Sequence, residues 1–163
     1  NFIVKNTTFD AIFSDAIDLD FSDGLIKNVS FTNIGNDGID LSGSEALIEN
    51  VILNQLGDKG ISIGEKSTAN LKNIKVSESN IGLACKDNSL LKGSDINISQ
   101  SEVGFTSYQK KPEFGKCEAD FKHFIFDRNK NDYLIEEKSI ISIGNELVKP
   151  NAKNLYKKLY GIK

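Results

Sequence analysis

The chain has no tryptophan, no methionine, one histidine, two cysteines and two prolines among 163 residues. Each shortage removes a class of function. With His123 as the only imidazole, neither a Ser-His-Asp triad nor a Cys/His metal cluster can be assembled, and His123 reads as a satisfied surface or core residue. Two cysteines are too few for a disulfide framework. Cys85 reads as a small core hydrophobe, Cys117 lies in an irregular excursion, and their spacing leaves a bridge between them open. No apolar run approaches the ~18 residues of a membrane span. The net charge of −3 excludes a global pull toward nucleic acid or anionic lipid. The first residue is Asn1, so position 1 is read as an excision point, with further coils preceding it in a larger polypeptide.

What the chain does have is a strict repeat. Ala16, Gly38, Gly60, Gly82 and Gly104 are each separated by 22 positions. Each opens a similar short text: Ala16-Ile17-Asp18-Leu19, Gly38-Ile39-Asp40-Leu41, Gly60-Ile61-Ser62-Ile63, Gly82-Leu83-Ala84-Cys85 and Gly104-Phe105-Thr106-Ser107. A fixed period of this length marks a solenoid. Within Gly38–Lys59 the text gives three short strands and no helix, which excludes βαβ units, and the leucine-rich pattern is absent. The fold class expected is therefore all-β: a parallel β-helix of ~22 residues per coil, three short strands per coil, each strand paired with its equivalent one coil along.

In phase stacking predicts columns. Ile17, Ile39, Ile61, Leu83 and Phe105 form one inward column, with Leu19, Leu41, Ile63 and Cys85 beside it. Phe9, Phe31, Leu53, Val76 and Ile98 form another, and Asn6, Asn28, Asn50, Asn73 and Asp95 occupy a corner suited to left-handed backbone and side-chain ladders. The surplus over a regular coil falls within Gln109–Lys116. The β-helix is expected over residues 1–148, with the long loop near 109–118. Leu155, Tyr156, Leu159 and Tyr160 among lysines give a short amphipathic helix, read as a C-terminal cap over residues 149–163.

Alternation turns two columns of the first strand outward: Asp18, Asp40, Ser62, Ala84 and Thr106, then Asp20, Ser42, Gly64, Lys86 and Tyr108. Two carboxylates stacked at ~5 Å repel by roughly 3 kcal/mol at an effective dielectric of 20. Asp18, Asp20 and Asp40 are thus candidates for general acid/base work, for a shared Ca²⁺, or for plain hydrated surface. Ser42, Ser62, Glu65, Lys66, Lys86, Asp87, Tyr108, Lys110 and Lys111 are candidate ligand contacts, with the loop after Tyr108 as a wall offering aromatic platforms. Gly57–Ser67 is dense in glycine and charge yet is not a phosphate loop, because its lysine follows Glu65 and a strand follows.

The recurring Gly-Ile-Asp-Leu, Ile-x-Asn-x and Gly-Ile-x-Ile text resembles the right-handed, single-stranded parallel β-helix of the pectate-lyase-like superfamily over about residues 1–145. Residues 36–44, 58–67 and 108–115 are similar to segments of large bacterial proteins, some carrying a spore-coat-type kinase domain. The resemblance implies an extracellular or cell-envelope module facing a polysaccharide or other surface glycan, with no cofactor or with Ca²⁺. It leaves open a polysaccharide lyase, glycoside hydrolase or epimerase acting through the first-sheet aspartates, and a non-catalytic stalk or adhesion module. In that superfamily the chemistry sits on the outer face of the first sheet, where Asp18, Asp20 and Asp40 stand. Here the sole arginine, Arg128, lies outside the acidic coils, and the Gly-His-Gly and Arg-x-Lys patterns are absent.

Overall fold

In the computed structural model, which describes residues 1–161, single left-handed residues turn the chain at each corner without interrupting its hydrogen-bonded ladder. Asn6, Asn28, Asn50, Asn73, Asp95 and His123 form one such column, with φ between 52 and 58°. Ala11, Asn33, Gln55, Glu78, Gln100 and Arg128 form a second, with φ between 54 and 60°. Strands therefore run around corners: β1 (Phe2–Ile12), β2 (Ile17–Asp20), β3 (Asp23–Ile34), β4 (Ile39–Ser42), β5 (Glu45–Gly64), β6 (Thr68–Lys86), β7 (Leu90–Ser99) and β8 (Val103–Tyr108). β9 (Glu118–Asp127), β10 (Asn131–Ile135), β11 (Ile140–Ile143) and β12 (Glu146–Leu147) complete about six turns, followed by α1 (Leu155–Tyr160).

All coil-to-coil pairings are parallel and in the anticipated phase. Ile17 pairs with Ile39, Ile39 with Ile61, Ile61 with Leu83, and Leu83 with Phe105. Ile39, Leu41, Ile61, Ile63 and Phe105 are fully buried in one continuous core, as are Phe31, Leu53 and Ile98. The glycine of the repeat has a steric cause: a Cβ on Gly60 would lie 2.5 Å from the Gly82 carbonyl oxygen and 2.6 Å from Val76 Cγ1. The next coil approaches too closely for any side chain there. The asparagine corner forms the expected ladder, Asn28 to Asn6, Asn50 to Asn28 and Asn73 to Asn50, each at 3.0 Å. His123 extends that column, its Nδ1 3.3 Å from Asp95 Oδ1, so it is an exposed corner residue.

The six-residue surplus lies between β8 and β9, as the 28-residue offset of Phe105 to Tyr133 requires. The late end of the shaft holds a cluster of aromatics and a hairpin. Phe121 and Phe124 centroids are 4.7 Å apart, and Phe124 and Phe126 are 4.4 Å apart. β11 turns back on β12 through Gly144 and Asn145, both with positive φ, the geometry of a tight hairpin. The end cap is therefore not α1. Residues 151–160 instead run back along the outside of the first sheet, where Leu155 is buried with Ile81, Ala84, Val103 and Tyr108. Asn151 and Ala152 hold the start of this strap by donating to the Ile135 carbonyl, and Glu136 Oε1 accepts from Leu155 N at 2.7 Å. An amphipathic helix follows the largest unfilled apolar surface, and here that surface is a flank.

Cys85 and Cys117 form a disulfide with Cα atoms 5.9 Å apart, and both are fully buried. Cys85 occupies the inward column beside Ile63, as its place in the repeat predicts. The bridge additionally ties the long loop to the first sheet.

Candidate functional site

Six coils bring one column of the outer first-sheet face together: Asp18, Asp40, Ser62, Ala84, Thr106 and Leu134. Read in that order, the column carries carboxylates in its first two coils and no charge in the four that follow, and the face divides accordingly.

The early half is an open acidic ledge. Asp18 and Asp20 are exposed, and Asp40 and Ser42 are half-buried. Among the described residues no lysine or arginine pairs with Asp15, Asp18 or Asp20. Partial burial, and then the neighbouring Asp20, Asp40 and Asp15 charges, lift the Asp18 carboxyl above the usual carboxylate range. Phe21, 84 % exposed, sits at the ledge's edge in left-handed backbone (φ 49°). Its ring lies over Gly43, where a Cβ would come within 2.7 Å of Phe21 Cδ1. Bulky residues rarely adopt this backbone. Asp40 stacks on Asp18 in the next coil while Asp20 lies along the same strand and stacks on Ser42, and no three acidic, histidine or cysteine side chains among the described residues converge as metal ligands.

The late half is covered, and several expected contacts are withdrawn from solvent for that reason. Tyr108 is fully buried under the strap, its ring stacked on Tyr156 at 6.5 Å and its hydroxyl 3.5 Å from Tyr160 Oη. It offers no platform. Ser62 is fully buried. Asp87 is buried as a loop anchor, Oδ1 accepting from Lys110 N at 2.7 Å and Lys111 N at 2.9 Å. Lys86 lies back across Gly64, where a Cβ would be 3.1 Å from its Cε, and its Nζ stops 3.9 Å from Asp40 Oδ1. Burial pulls the Lys86 ammonium down from the usual lysine range, against the attraction of Asp40.

The loop of residues 109–117 is held down on the neighbouring turns. Lys111 pairs with Glu65 at 2.7 Å, Lys66 stands 5.6 Å from the Phe114 ring centroid, and the disulfide closes the loop's far end. Glu65, Lys66, Lys110 and Lys111 thus keep partly or fully exposed positions on or beside the loop.

Between ledge and strap lies a buried charge cluster that the strand pattern did not single out. Lys59 Nζ is 3.2 Å from both Asp37 carboxylate oxygens and 2.5 Å from Asp58 Oδ2, which also accepts from Tyr160 Oη at 3.3 Å. Burial raises the Asp37 carboxyl to about 6, against the Lys59 charge. Burial opposes the Lys59 charge too, but Asp37 and Asp58 outweigh it and hold the lysine protonated above its usual range. Two acids thus face one base in this cluster. The corner also has a plain structural use: Asp15 Oδ1 accepts from Asp37 N at 2.8 Å, and Asp37 Oδ1 from Lys59 N at 3.0 Å. The density of charge in Gly57–Gly60 is the one sequence signal for this cluster; its roof, Tyr160, lies 102 residues from Asp58.

Over residues 1–154 the chain matches the family described as right handed beta helix region. The chain belongs to the right-handed β-helix family. No curated protein and no solved structure gives a match. For this β-helix, family membership accounts for the stacked columns and the outward first-sheet face, while the ligand must be argued from the side chains on that face.

Proposed function

We propose that this β-helix is a glycan-facing module of a larger secreted or cell-surface protein, holding a polysaccharide along the acidic ledge of its first sheet. The observation that carries the reading is the ledge itself. Asp18 and Asp20 are exposed with no cationic partner among the described residues, and Asp40 is stacked beside Asp18. Stacking like charges lowers stability, and the arrangement is explained if the carboxylates accept hydroxyl donors or share a cation with a ligand. Phe21 at the ledge's edge supplies an apolar surface for a sugar ring. The buried Cys85–Cys117 disulfide supports an oxidising compartment outside the cytosol.

A panel of neutral and acidic polysaccharides, with Ca²⁺ or with EDTA, tests the reading. Retention that is lost in Asp18→Asn/Asp20→Asn, with the fold intact, is the expected result. Loss on EDTA assigns a bridging cation. New sugar ends released by the wild type and not by the variant replace binding with catalysis. Retention indifferent to both substitutions removes the ledge from any site.

A further inference from the structure

A concavity with a volume of about 690 Å³ runs along one edge of α1, over the residues that precede the first-sheet strands of successive coils. That is the range of small-ligand sites. Its floor is apolar: Ile81, Val103 and Leu134 from three successive coils, closed by Leu155 and Leu159 of α1. Its rim is polar, and the charged residues of the lining, Asp58, Glu102, Lys130 and Lys158, sum to zero. Glu102 pairs with Lys130 at 2.8 Å, and Asp58 shares Lys59 with Asp37. Asn80 donates its amide to the Gly57 carbonyl, which leaves its side-chain oxygen toward the rim. Tyr160 lines the same cleft, its ring backed by Lys59 Nζ at 5.5 Å from the centroid and its hydroxyl held by Asp58 at 3.3 Å. The ring is fixed from behind before any ligand arrives, which lowers the ordering cost of binding.

We infer that this cleft binds a short neutral saccharide segment. An apolar floor with one braced aromatic suits the C–H face of a pyranose ring, and a rim of amide and carboxylate oxygens suits its hydroxyls. A lining whose charges cancel disfavours both an anionic and a cationic ligand, each of which leaves a net charge in the cleft. A purely apolar ligand leaves the side-chain oxygens of Asn80 and Asn131 facing it without donors. The inference stands on the cleft's own lining and shares with the ledge only the broad class of ligand.

The test uses the full chain, with cellohexaose and chitohexaose as neutral probes and oligogalacturonate as the acidic one, followed by calorimetry and amide shifts. The expected result is a neutral hexaose moving amides at 57–58, 80–81, 102–103 and 158–160. Tyr160→Leu is expected to weaken binding roughly tenfold and Tyr160→Phe to retain it. Asn80→Ala reads the rim without touching the buried cluster, so the test survives if Tyr160→Leu releases α1. Neutral probes that bind nowhere, that move only residues 18–22, or that ignore both Tyr160→Leu and Asn80→Ala overturn the inference. Asp18→Asn/Asp20→Asn separates the two sites: it is expected to abolish retention on the ledge and to leave hexaose binding in the cleft unchanged. Loss of both in that variant also overturns a separate cleft.

Discussion

Removing the Cys85–Cys117 bridge, as Cys85→Ala/Cys117→Ala, measures how far the long loop depends on a covalent tie. The two cysteines are 32 residues apart. In the chain-entropy treatment, closing such a loop removes about 12 cal/mol/K from the unfolded ensemble, or about 3.7 kcal/mol at 25 °C. Both residues are fully buried, so alanine avoids placing a new hydroxyl in the core and adds only the loss of two sulfur atoms. The tie is not the loop's only anchor, since Asp87 accepts two of its amides and Glu136 accepts from Gln109 N at 3.1 Å. The loop is therefore expected to loosen in place while the coils stay stacked. Guanidinium unfolding, followed by circular dichroism, is expected to show a loss of about 3 to 4 kcal/mol with a steeper transition, because the unfolded state expands. Trypsin is expected to cut faster at Lys110, Lys111 and Lys116. A change under about 1 kcal/mol, or two titratable thiols in the denatured wild type, refutes the reasoning.

Two further outcomes concern the columns and the buried cluster. At the ladder, Asn50 (φ 53°) both tolerates left-handed backbone and makes two side-chain bonds, to Asn28 and from Asn73. Asn50→Gly is expected to cost about 1 kcal/mol for the lost bonds, and Asn50→Ala about 1 to 2 kcal/mol more for the strained backbone, by denaturant titration. Equal costs refute the left-handed account. At the cluster, Asp37 holds its proton up to about 6, against an ordinary value of 3.8. The folded state thus binds that proton more tightly than the unfolded one, so its contribution is fully present below about pH 4 and is lost as pH rises through about 6. The gap corresponds to about 3 kcal/mol. Asp37→Asn is expected to flatten the stability profile across that window, and an unchanged profile removes Asp37 as its cause.

The shaft was legible because its causes are local and periodic. A glycine where the next backbone comes within contact distance, isoleucine at alternate positions and asparagine at a left-handed corner each leave a mark every 22 residues. The outward direction of Asp18, Asp40, Ser62, Ala84 and Thr106 was legible for the same reason. Outward is not the same as exposed, however, and here the periodic signal stops. Whether an outward residue meets water depends on a strap that returns from residues 151–160, and no period links Tyr160 to Asp58 or Leu155 to Val103.

The cover did leave an indirect trace. The outer column loses its charge step by step, from Asp18 and Asp40 to Ala84 and Leu134, and Ile81 and Val103 add apolar surface beside it. A solenoid flank that turns apolar toward one end requires a covering element, and Leu155–Tyr160 is the one amphipathic helix among the described residues. Matching the two would have placed α1 on the flank, withdrawn Tyr108 from solvent and left Asp18 and Asp20 as the open part of the face. The same match leaves the cleft beside Tyr160, because a helix of six residues covers only part of the flank and the surface from Asp58 to Leu134 along its edge stays open.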